Sequence, residues 1–386
     1  MSGEAIVVEA DAHGLIRHVD PLLNANDADD LWIAPGFIDL QVNGFAGVDF
    51  NSPSSSSRET SQESIARAIL AIASTGVTRF FPTVITGAPD AMCAALRNLA
   101  AARESLPFGR AMEAFHVEGP HISPEDAPRG AHPKEWVRPP DFEEFLRMQD
   151  AARGHIRLVT LAPEWLGAPD FIERLTSGGV VCAIGHTRAT PAQIHDAVSA
   201  GATLSTHLGN GAGSRTRTED FITAQLNETS LAASFIADGH HLPDEFLRRA
   251  LETKGLERSI LITDAVAPAL CLPGSYKLGG VDVELRPVVD SNDTGRVTLQ
   301  GGDRLAGSAL RVDRAVENVM RIAGLTLAQA ITLATTNPAR VGKAPARLKG
   351  LQRGERADVV RFRMMDGRVE VVETYLNGEL IFATAS

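Results

Sequence analysis

The chain has few cysteines and no long apolar run. Its three cysteines, Cys93, Cys182 and Cys271, are far apart and form no Cys-x-x-Cys pair. This pattern predicts neither a disulfide framework nor a zinc knuckle. No segment approaches the ~18 consecutive apolar residues of a membrane helix, and the N-terminus lacks a basic region followed by an apolar one. We therefore expect a cytoplasmic protein with no membrane partner.

Positive charge is also scarce. The 386 residues include 37 Lys and Arg against 48 Asp and Glu, a formal net charge of −11. Such a balance disfavours nucleic acid as a partner, although it is compatible with a local basic pocket for a small anion. Hydrophobic residues make up 44% and charged residues 22%, which is ordinary for a globular protein. The length allows two or three domains, or one large barrel with attachments.

Strand-like and helix-like segments alternate through the middle of the chain. Most of the eight apolar, strand-like segments are separated by helical patterns, and they are 37–42, 78–84, 114–118, 156–162, 180–184, 202–206, 232–237 and 260–263. This alternation predicts parallel βα units, and eight units predict a (β/α)₈ TIM-like barrel whose active site lies at the C-terminal strand ends. We assign residues 36–343 to this barrel.

The remaining segments carry other patterns. Residues 1–35 and 344–386 contain short strands and turns, which we expect to pair into a small β-sandwich domain formed by both termini. Residues 271–299 have the pattern of a β-hairpin. A helix is predicted over 326–336, with Asn337-Pro338-Ala339 as its end.

Residues that can bind metal follow several of the predicted strands. Glu118 ends the third strand, His186 and His207 follow the fifth and sixth, and Asp264 follows the eighth. Burying a carboxylate at a strand end is costly unless a cation meets it. Each of these residues alone is more often structural. Together, two imidazoles and a carboxylate predict a catalytic metal site with an open position for water, and Asp264 is placed to act on that water.

Short motifs carry a family resemblance. Pro35-Gly36-Phe37-Ile38-Asp39 before the first strand, with a tail sheet closing on the N-terminus, resembles the amidohydrolase superfamily. Eight further segments resemble its amino-sugar-phosphate deacetylases, in the same order, over about residues 32–340: 41–44, 116–120, 161–164, 185–187, 206–210, 237–241, 263–265 and 305–308. A set of eight is far more specific than any single motif.

The resemblance implies one divalent metal ion per subunit, held by Glu118, His186 and His207. Zinc is the first choice, and iron(II) or cobalt would also suit these ligands. Many members carry His-x-His on the first strand and bind a second metal, whereas Gln41-x-Asn43 here resembles the single-metal branch. Asp264 is implied as the general base and acid. The implied substrate contacts are His132, Asn210, Gly211, Arg217, His241, Gln41, Asn43, Ala306 and Gly307.

The phosphate-binding arginine has two candidates. Arg217 is our choice and Arg215 the competitor, because the spacing from His207 is one residue shorter than is usual in the family. The resemblance implies a homodimer that hydrolyses the N-acetyl group of N-acetylglucosamine 6-phosphate in amino-sugar catabolism. An alternative is another amidohydrolase deacetylase or cyclic amidase acting on a different or unphosphorylated N-acyl substrate. A non-catalytic sugar-binding protein is disfavoured because Asp264 and the three ligands are all present.

Overall fold

The computed structural model describes residues 4–22, 30–52, 62–210, 217–287 and 294–384. Gly211 and Arg215 lie outside these residues, so their implied roles stay predictions. The first thirteen strands are β1 (Ile6–Ala10), β2 (Ile16–Pro21), β3 (Trp32–Pro35), β4 (Phe37–Val42), β5 (Gly44–Phe45), β6 (Val48–Asp49), β7 (Val77–Ile85), β8 (Phe115–Glu118), β9 (Ile156–Leu161), β10 (Val181–Ile184), β11 (Leu204–Ser205), β12 (Ala232–Ile236) and β13 (Ser259–Ile262).

Eight of these strands form the barrel. They are parallel and neighbour one another in the order β4, β7, β8, β9, β10, β11, β12 and β13. The last strand returns to the first, because the Asp264 amide donates to the Gln41 carbonyl at 3.0 Å and the Asn43 amide to the Ala265 carbonyl at 2.7 Å. Apolar strands covered on both faces are what a parallel barrel requires. The predicted (β/α)₈ barrel is therefore confirmed.

Helices cover the outside of the barrel and follow its strands. They are α1 (Gln62–Ala73), α2 (Pro89–Ser105), α3 (Asp126–Arg129), α4 (Phe142–Ala151), α5 (Ala168–Ser177), α6 (Pro191–Ser199), α7 (Asp220–Asn227), α8 (Asp244–Lys254), α9 (Val312–Ala323), α10 (Leu327–Ala334) and α11 (Thr336–Val341). Among the described residues, none of them has the length and apolarity to cross a membrane.

The predicted end of the 326–336 helix is wrong. The helix α10 stops at Ala334, and Asn337-Pro338-Ala339 lies inside the next helix, α11. Proline is tolerated there because the first turn of a helix leaves its amide groups unpaired in any case. The Asn337 side chain donates to the carbonyls of Leu256 and Ser259, which anchors α11 beneath the barrel's last strand.

Two larger sheets flank the barrel, in addition to the two-stranded sheets β1–β2 and β5–β6. After β13 the chain forms an antiparallel sheet of β14 (Gly274–Leu278), β15 (Val281–Arg286) and β16 (Arg296–Leu299), one strand more than the predicted hairpin. The second sheet joins β3 to β17 (Val359–Met365), β18 (Arg368–Leu376) and β19 (Glu379–Ala383). Both termini thus contribute to a small β domain, as predicted. The boundaries assigned to it, 1–35 and 344–386, stay a prediction.

A buried ion cluster connects this small domain to the N-terminal end of the barrel. The Asp358 carboxylate lies 2.7 Å from both the Arg79 and the Arg347 guanidinium groups. Nearby, Glu113 is 2.6 Å from Arg356. Burial alone would raise the pKa of Asp358, but Arg79 and Arg347 outweigh it and lower that pKa to about 2. Each carboxylate in this cluster is therefore matched by guanidinium groups.

Candidate active site

A cavity of about 840 Å³ opens at the C-terminal ends of the barrel strands. This is the end at which TIM barrels carry their active sites. The cavity is lined by all the described residues that we predicted for the site except Gln41, namely Asn43, Glu118, His132, His186, His207, Asn210, Arg217, His241, Asp264, Ala306 and Gly307. The barrel therefore brings together residues that are more than 260 positions apart in the sequence, from Asn43 to Gly307.

The three predicted metal ligands meet on the cavity floor. Glu118 Oε1 lies 2.8 Å from His207 Nε2 and 3.2 Å from His186 Nε2. One ligand atom from each residue falls within 4.8 Å of the others. Burial alone would raise the pKa of Glu118, but His186, His132 and His207 lower it well below its usual range. An ionised carboxylate between two imidazoles fits a divalent cation such as zinc, iron(II) or cobalt.

Neighbouring groups fix the orientation of the two histidines. His186 Nδ1 lies 2.8 Å from the Pro128 carbonyl, which only accepts, so Nδ1 carries the proton and Nε2 carries the lone pair. The His207 amide donates to the Ser234 hydroxyl at 2.9 Å. His186, His207 and Asp264 all have a left-handed backbone, with φ of 50°, 31° and 52°. Such conformations are uncommon in non-glycine residues and concentrate at functional sites.

Asp264 lies beside the metal ligands and is held by two amides. Its Oδ1 accepts from Asn43 Nδ2 at 2.6 Å and from Gln41 Nε2 at 3.1 Å. Gln41 Nε2 also donates to Glu118 Oε1 at 2.9 Å, so one amide connects the two carboxylates. Burial, followed by the charge of Glu118, raises the pKa of Asp264 to about 6. Gln41 is 1% exposed and its predicted contact with substrate stays a prediction.

His132 reaches the same centre from the loop that follows β8. Its Nε2 is 3.6 Å from Glu118 Oε2, and its Nδ1 is 2.9 Å from the Thr86 hydroxyl. Burial, followed by the charge of His186, lowers the pKa of His132 to about 4. The imidazole is therefore neutral near pH 7, and it is fixed in place between Thr86 and Glu118.

The loops after β11 and β12 provide the cationic part of the cavity. His241 Nδ1 lies 2.6 Å from Asp238 Oδ2, and this carboxylate raises the pKa of His241 against the effect of burial. The Arg217 guanidinium donates to the His241 carbonyl at 3.3 Å. Asn210 follows His207 in a tight turn and also lines the cavity. A guanidinium, beside an imidazole whose pKa is raised, suits an anionic group such as a phosphate.

Several supporting residues had no role in the sequence prediction. Thr86 orients His132, and the Pro128 carbonyl orients His186. No local sequence pattern predicts either contact. Two others belonged to motifs that were noted without a role. Asp238 orients His241, and Glu164 accepts from the Thr187 hydroxyl and, at 3.1 Å, from the Arg188 amide. Glu164 thereby fixes the segment that follows His186.

Comparison with known proteins places the chain in a family. The model of the amidohydrolase family matches residues 32–381, so the chain belongs to the amidohydrolase family. An N-acetylgalactosamine-6-phosphate deacetylase of Escherichia coli O157:H7 is 31% identical over 96% of this chain and 93% of its own length. An N-acetylglucosamine-6-phosphate deacetylase of Bos taurus is 33% identical over 91% of this chain and 83% of its own length.

A solved structure extends this similarity to three dimensions. The N-acetyl-D-glucosamine-6-phosphate deacetylase of Mycobacterium smegmatis, in complex with N-acetyl-D-glucosamine-6-phosphate, superposes with a TM-score of 0.84. The two sequences are 30% identical, and the match covers 96% of this chain and 93% of that one. The match therefore includes the barrel and the small β domain alike.

Proposed function

We propose that this chain hydrolyses the N-acetyl group of N-acetylglucosamine 6-phosphate to give glucosamine 6-phosphate and acetate, a step in amino-sugar catabolism. The observation that carries the proposal is the composition of one cavity. It joins the Glu118, His186 and His207 cluster and the adjacent Asp264 to a cationic part formed by Arg217 and His241. Relatives of the same activity at about 30% identity over most of the chain support the same reaction.

Glu118, His186 and His207 would hold one divalent metal ion, zinc by preference. When bound, such an ion supplies a Lewis acid that activates water and polarises the acetyl carbonyl. Gln41 supports this arrangement from behind, because its amide fixes Glu118 and Asp264 at the same time. No other cluster of metal-ligand type occurs among the described residues.

Asp264 acts as general base and then as general acid. The amides of Asn43 and Gln41 occupy its Oδ1, which leaves Oδ2 as the oxygen that takes the proton from water. The same carboxyl then gives a proton to the nitrogen of the departing amine, so that glucosamine 6-phosphate leaves as a neutral or protonated amine. Proton transfer of this type contributes about 10²–10⁴-fold to turnover.

The remaining residues orient the substrate. Arg217 and His241 bind the 6-phosphate, since charge-assisted hydrogen bonds to phosphate are about twice as strong as neutral ones. His132 and Asn210 contact the amide and the sugar, and Ala306 and Gly307 provide the backbone wall beside Asp264. Positioning of this kind brings the acetyl carbonyl to the reacting groups and excludes other orientations.

The 4-epimer is the second candidate substrate. It is favoured by one observation, the 31% identity to an N-acetylgalactosamine-6-phosphate deacetylase over almost the whole chain. The two sugars differ only in the direction of one hydroxyl group. Discrimination can be strong where the site hydrogen-bonds that hydroxyl group, and weak where it does not.

The test is acetate release from four compounds, namely the 6-phosphates of N-acetylglucosamine and N-acetylgalactosamine and the two unphosphorylated sugars. We expect the highest kcat/KM for N-acetylglucosamine 6-phosphate. A preference for the 4-epimer would transfer the proposal to that sugar. Equal rates with and without the phosphate would contradict the role of Arg217 and His241, and no acetate from any of them would refute the deacetylase function.

Three finer points belong to the same proposal. Zinc is supported by the two imidazoles and one carboxylate, a set that catalytic zinc sites use. The homodimer rests on the family resemblance, and light scattering of the purified protein measures it directly. A cytoplasmic location suits a phosphorylated substrate, because a charged sugar phosphate does not cross a membrane unaided.

A further inference from the structure

One side of the active-site cavity is apolar, and the reaction outlined above gives no role to its two large side chains, Ile85 and Leu278. Ile85 and Leu278 line the cavity together with Ala131 and Ala306. Ile85, Leu278 and Ala306 are 5%, 4% and 1% exposed and belong to an apolar cluster separate from the main barrel core. The three-stranded sheet β14–β16 supplies half of the buried residues of that cluster. Through Leu278, the sheet therefore contributes to an apolar surface beside the site.

This surface lies next to the reacting groups. In the parallel pair β7 and β8, Ile85 is the register partner of Glu118. Register partners on neighbouring strands point to the same face of a sheet, so the Ile85 side chain lies beside the metal ligand. On the opposite flank, Ala306 adjoins Gly307 in the loop whose Ser308 amide donates to the Asp264 carbonyl at 2.9 Å. The apolar surface therefore borders Glu118 and the backbone at the strand end that carries Asp264.

The surface is also held rigidly. The Ile85 amide donates to Asn51 Oδ1 at 2.7 Å, and Asn51 Nδ2 donates to the carbonyls of Asn43 and Thr83. The Gly279 amide donates to Asp49 Oδ2 at 2.8 Å, which fixes the turn after Leu278. A Cβ atom on Gly279 would lie 3.1 Å from Ile85 Cδ1, so the turn packs closely against that side chain. Moving Ile85 or Leu278 away from the cavity would therefore disrupt this close packing and these hydrogen bonds, which costs free energy.

We propose that Ile85 and Leu278 form an acyl pocket that restricts the hydrolysed group to about the size of acetyl. The inference rests on the deacetylase function proposed above. Besides its oxygen, the amide carbonyl carbon at the reaction centre has two substituents, the nitrogen and the alkyl group. The nitrogen leads through the sugar to the phosphate, and therefore towards Arg217 and His241. The alkyl group must point elsewhere, and the apolar surface beside Glu118 is a suitable environment for a methyl group.

The pocket makes a prediction about acyl-chain length. One methylene more or less in an apolar pocket changes specificity by about 10–200-fold. The wild-type protein should therefore hydrolyse the N-acetyl compound well and the N-propionyl and N-butyryl glucosamine 6-phosphates progressively worse. Leu278→Ala and Ile85→Ala should each raise the ratio of kcat/KM for N-butyryl to N-acetyl by at least about tenfold. Ile85→Val, the smaller change, should move the same ratio less.

Leu285→Ala is the matched control. Leu285 is also a leucine of the three-stranded sheet, is also 4% exposed and belongs to the same cluster, but it does not line the cavity. It should lose stability as Leu278→Ala does and leave the chain-length ratio unchanged. An equal rise of the ratio in Leu285→Ala would show that loosening of the sheet is responsible, and would overturn the proposal.

A binding measurement removes the dependence on turnover. In an Asp264→Asn background, which should bind without hydrolysis, calorimetry compares the Kd values of the N-acetyl and N-butyryl compounds. Adding Leu278→Ala should tighten binding of the N-butyryl compound relative to the N-acetyl one. If the wild type releases acetate but the variants change neither the kcat/KM ratio nor the Kd ratio of the N-butyryl to the N-acetyl compound, the acyl-pocket proposal is wrong and the deacetylase function stands. If no N-acyl compound is hydrolysed, both proposals are wrong.

Discussion

The two ends of the barrel each bury carboxylates, and they neutralise them in different ways. At the N-terminal end, Asp358 and Glu113 contact the guanidinium groups of Arg79, Arg347 and Arg356. At the C-terminal end, Glu118 meets three imidazoles and the Gln41 amide, and Asp264 meets the amides of Gln41 and Asn43. No lysine or arginine of the described chain forms an ion pair with either of those two carboxylates. Of the two clusters, only the first pairs its carboxylates with guanidinium groups.

The pKa values express the same difference. Two guanidinium groups lower the pKa of Asp358 to about 2, whereas burial and Glu118 raise the pKa of Asp264 to about 6. A buried charge is tolerated where it is paired, and an under-neutralised group with a shifted pKa in a cavity is a candidate functional group. The N-terminal cluster therefore stabilises the fold, and the C-terminal cluster is the candidate centre for metal binding and reaction.

Replacing the base should have the largest effect. Asp264→Asn keeps the side-chain shape, and its amide oxygen can still accept from Gln41 and Asn43, but it cannot take a proton from water. We expect kcat to fall by about 10²–10⁴-fold. Metal content, measured by elemental analysis, and thermal stability should stay close to wild type. Loss of the metal in this variant would mean that Asp264 is chiefly a ligand.

The matching change at the other end should affect stability instead of activity. Asp358→Asn leaves Arg79 and Arg347 buried without their carboxylate, and breaking a buried pair in this way costs about 3–5 kcal/mol. Denaturant unfolding measures the loss. The partly exposed pair Arg361–Glu373 in the same sheet is the control, and Glu373→Gln should cost about 1 kcal/mol or less. The kcat of folded Asp358→Asn should equal that of wild type.

Acid should act on the N-terminal cluster with a defined sign. The pKa of Asp358 is about 2 in the folded state, against an ordinary value of 3.8 for an aspartate, so its carboxylate stabilises the fold fully above about pH 4. That contribution is lost as the pH falls through about 2. Between pH 5 and pH 2 the stability of Asp358→Asn should therefore fall less steeply than that of wild type. Parallel curves would contradict the pairing.

The phosphate-binding part of the cavity should show a smaller and more selective effect. Arg217→Ala should lower kcat/KM for the 6-phosphate substrate by about tenfold to a hundredfold, which corresponds to one charge-assisted interaction. It should barely change the rate on unphosphorylated N-acetylglucosamine. Arg188 lines the same cavity but lies 3.7 Å from Glu125 and is half-exposed, so Arg188→Ala serves as the control. Equal losses on both substrates would indicate a structural role for Arg217.

Removing the partner of His241 should have the smallest effect. Asp238 raises the pKa of His241, so Asp238→Asn should lower that pKa and leave less of the imidazole charged near pH 7. The KM for the phosphorylated substrate should rise by about three- to tenfold, the scale of one hydrogen bond. This rise in KM should be larger at pH 8 than at pH 6, because at pH 6 the His241 imidazole is more protonated in both the wild type and Asp238→Asn. A rise independent of pH would contradict the charge argument.

The sequence predicted the barrel because most of its eight strand-forming segments are separated by helical patterns. It predicted the gathering of Glu118, His186, His207 and Asp264 for a related reason. Parallel strands bring their carboxyl ends to one side, so residues at those ends become neighbours whatever their separation in sequence. Topology alone therefore predicted that these four side chains gather at one end of the barrel, which the structure confirms.

The supporting contacts could not be predicted in the same way. The carbonyl of Pro128 orients His186, and any residue at that position would present a carbonyl. The left-handed backbone at His186, His207 and Asp264 depends on the packing of neighbouring strand ends. It therefore cannot be predicted from the residue types in the sequence. The predicted helix end at 337–339 is wrong because proline, which usually ends a helix, is allowed in the first turn of a new one, and Pro338 lies in the first turn of α11.

Metal stoichiometry tests the central comparison most directly. Elemental analysis of the purified protein should find about one divalent ion per chain, because the described residues contain one cluster of metal-ligand type. Glu118→Gln should lose that ion, whereas Asp358→Asn should keep it. Chelation should abolish acetate release while the fold persists, and added zinc should restore it. Two tightly bound ions per chain, or full activity in the metal-free protein, would contradict the account.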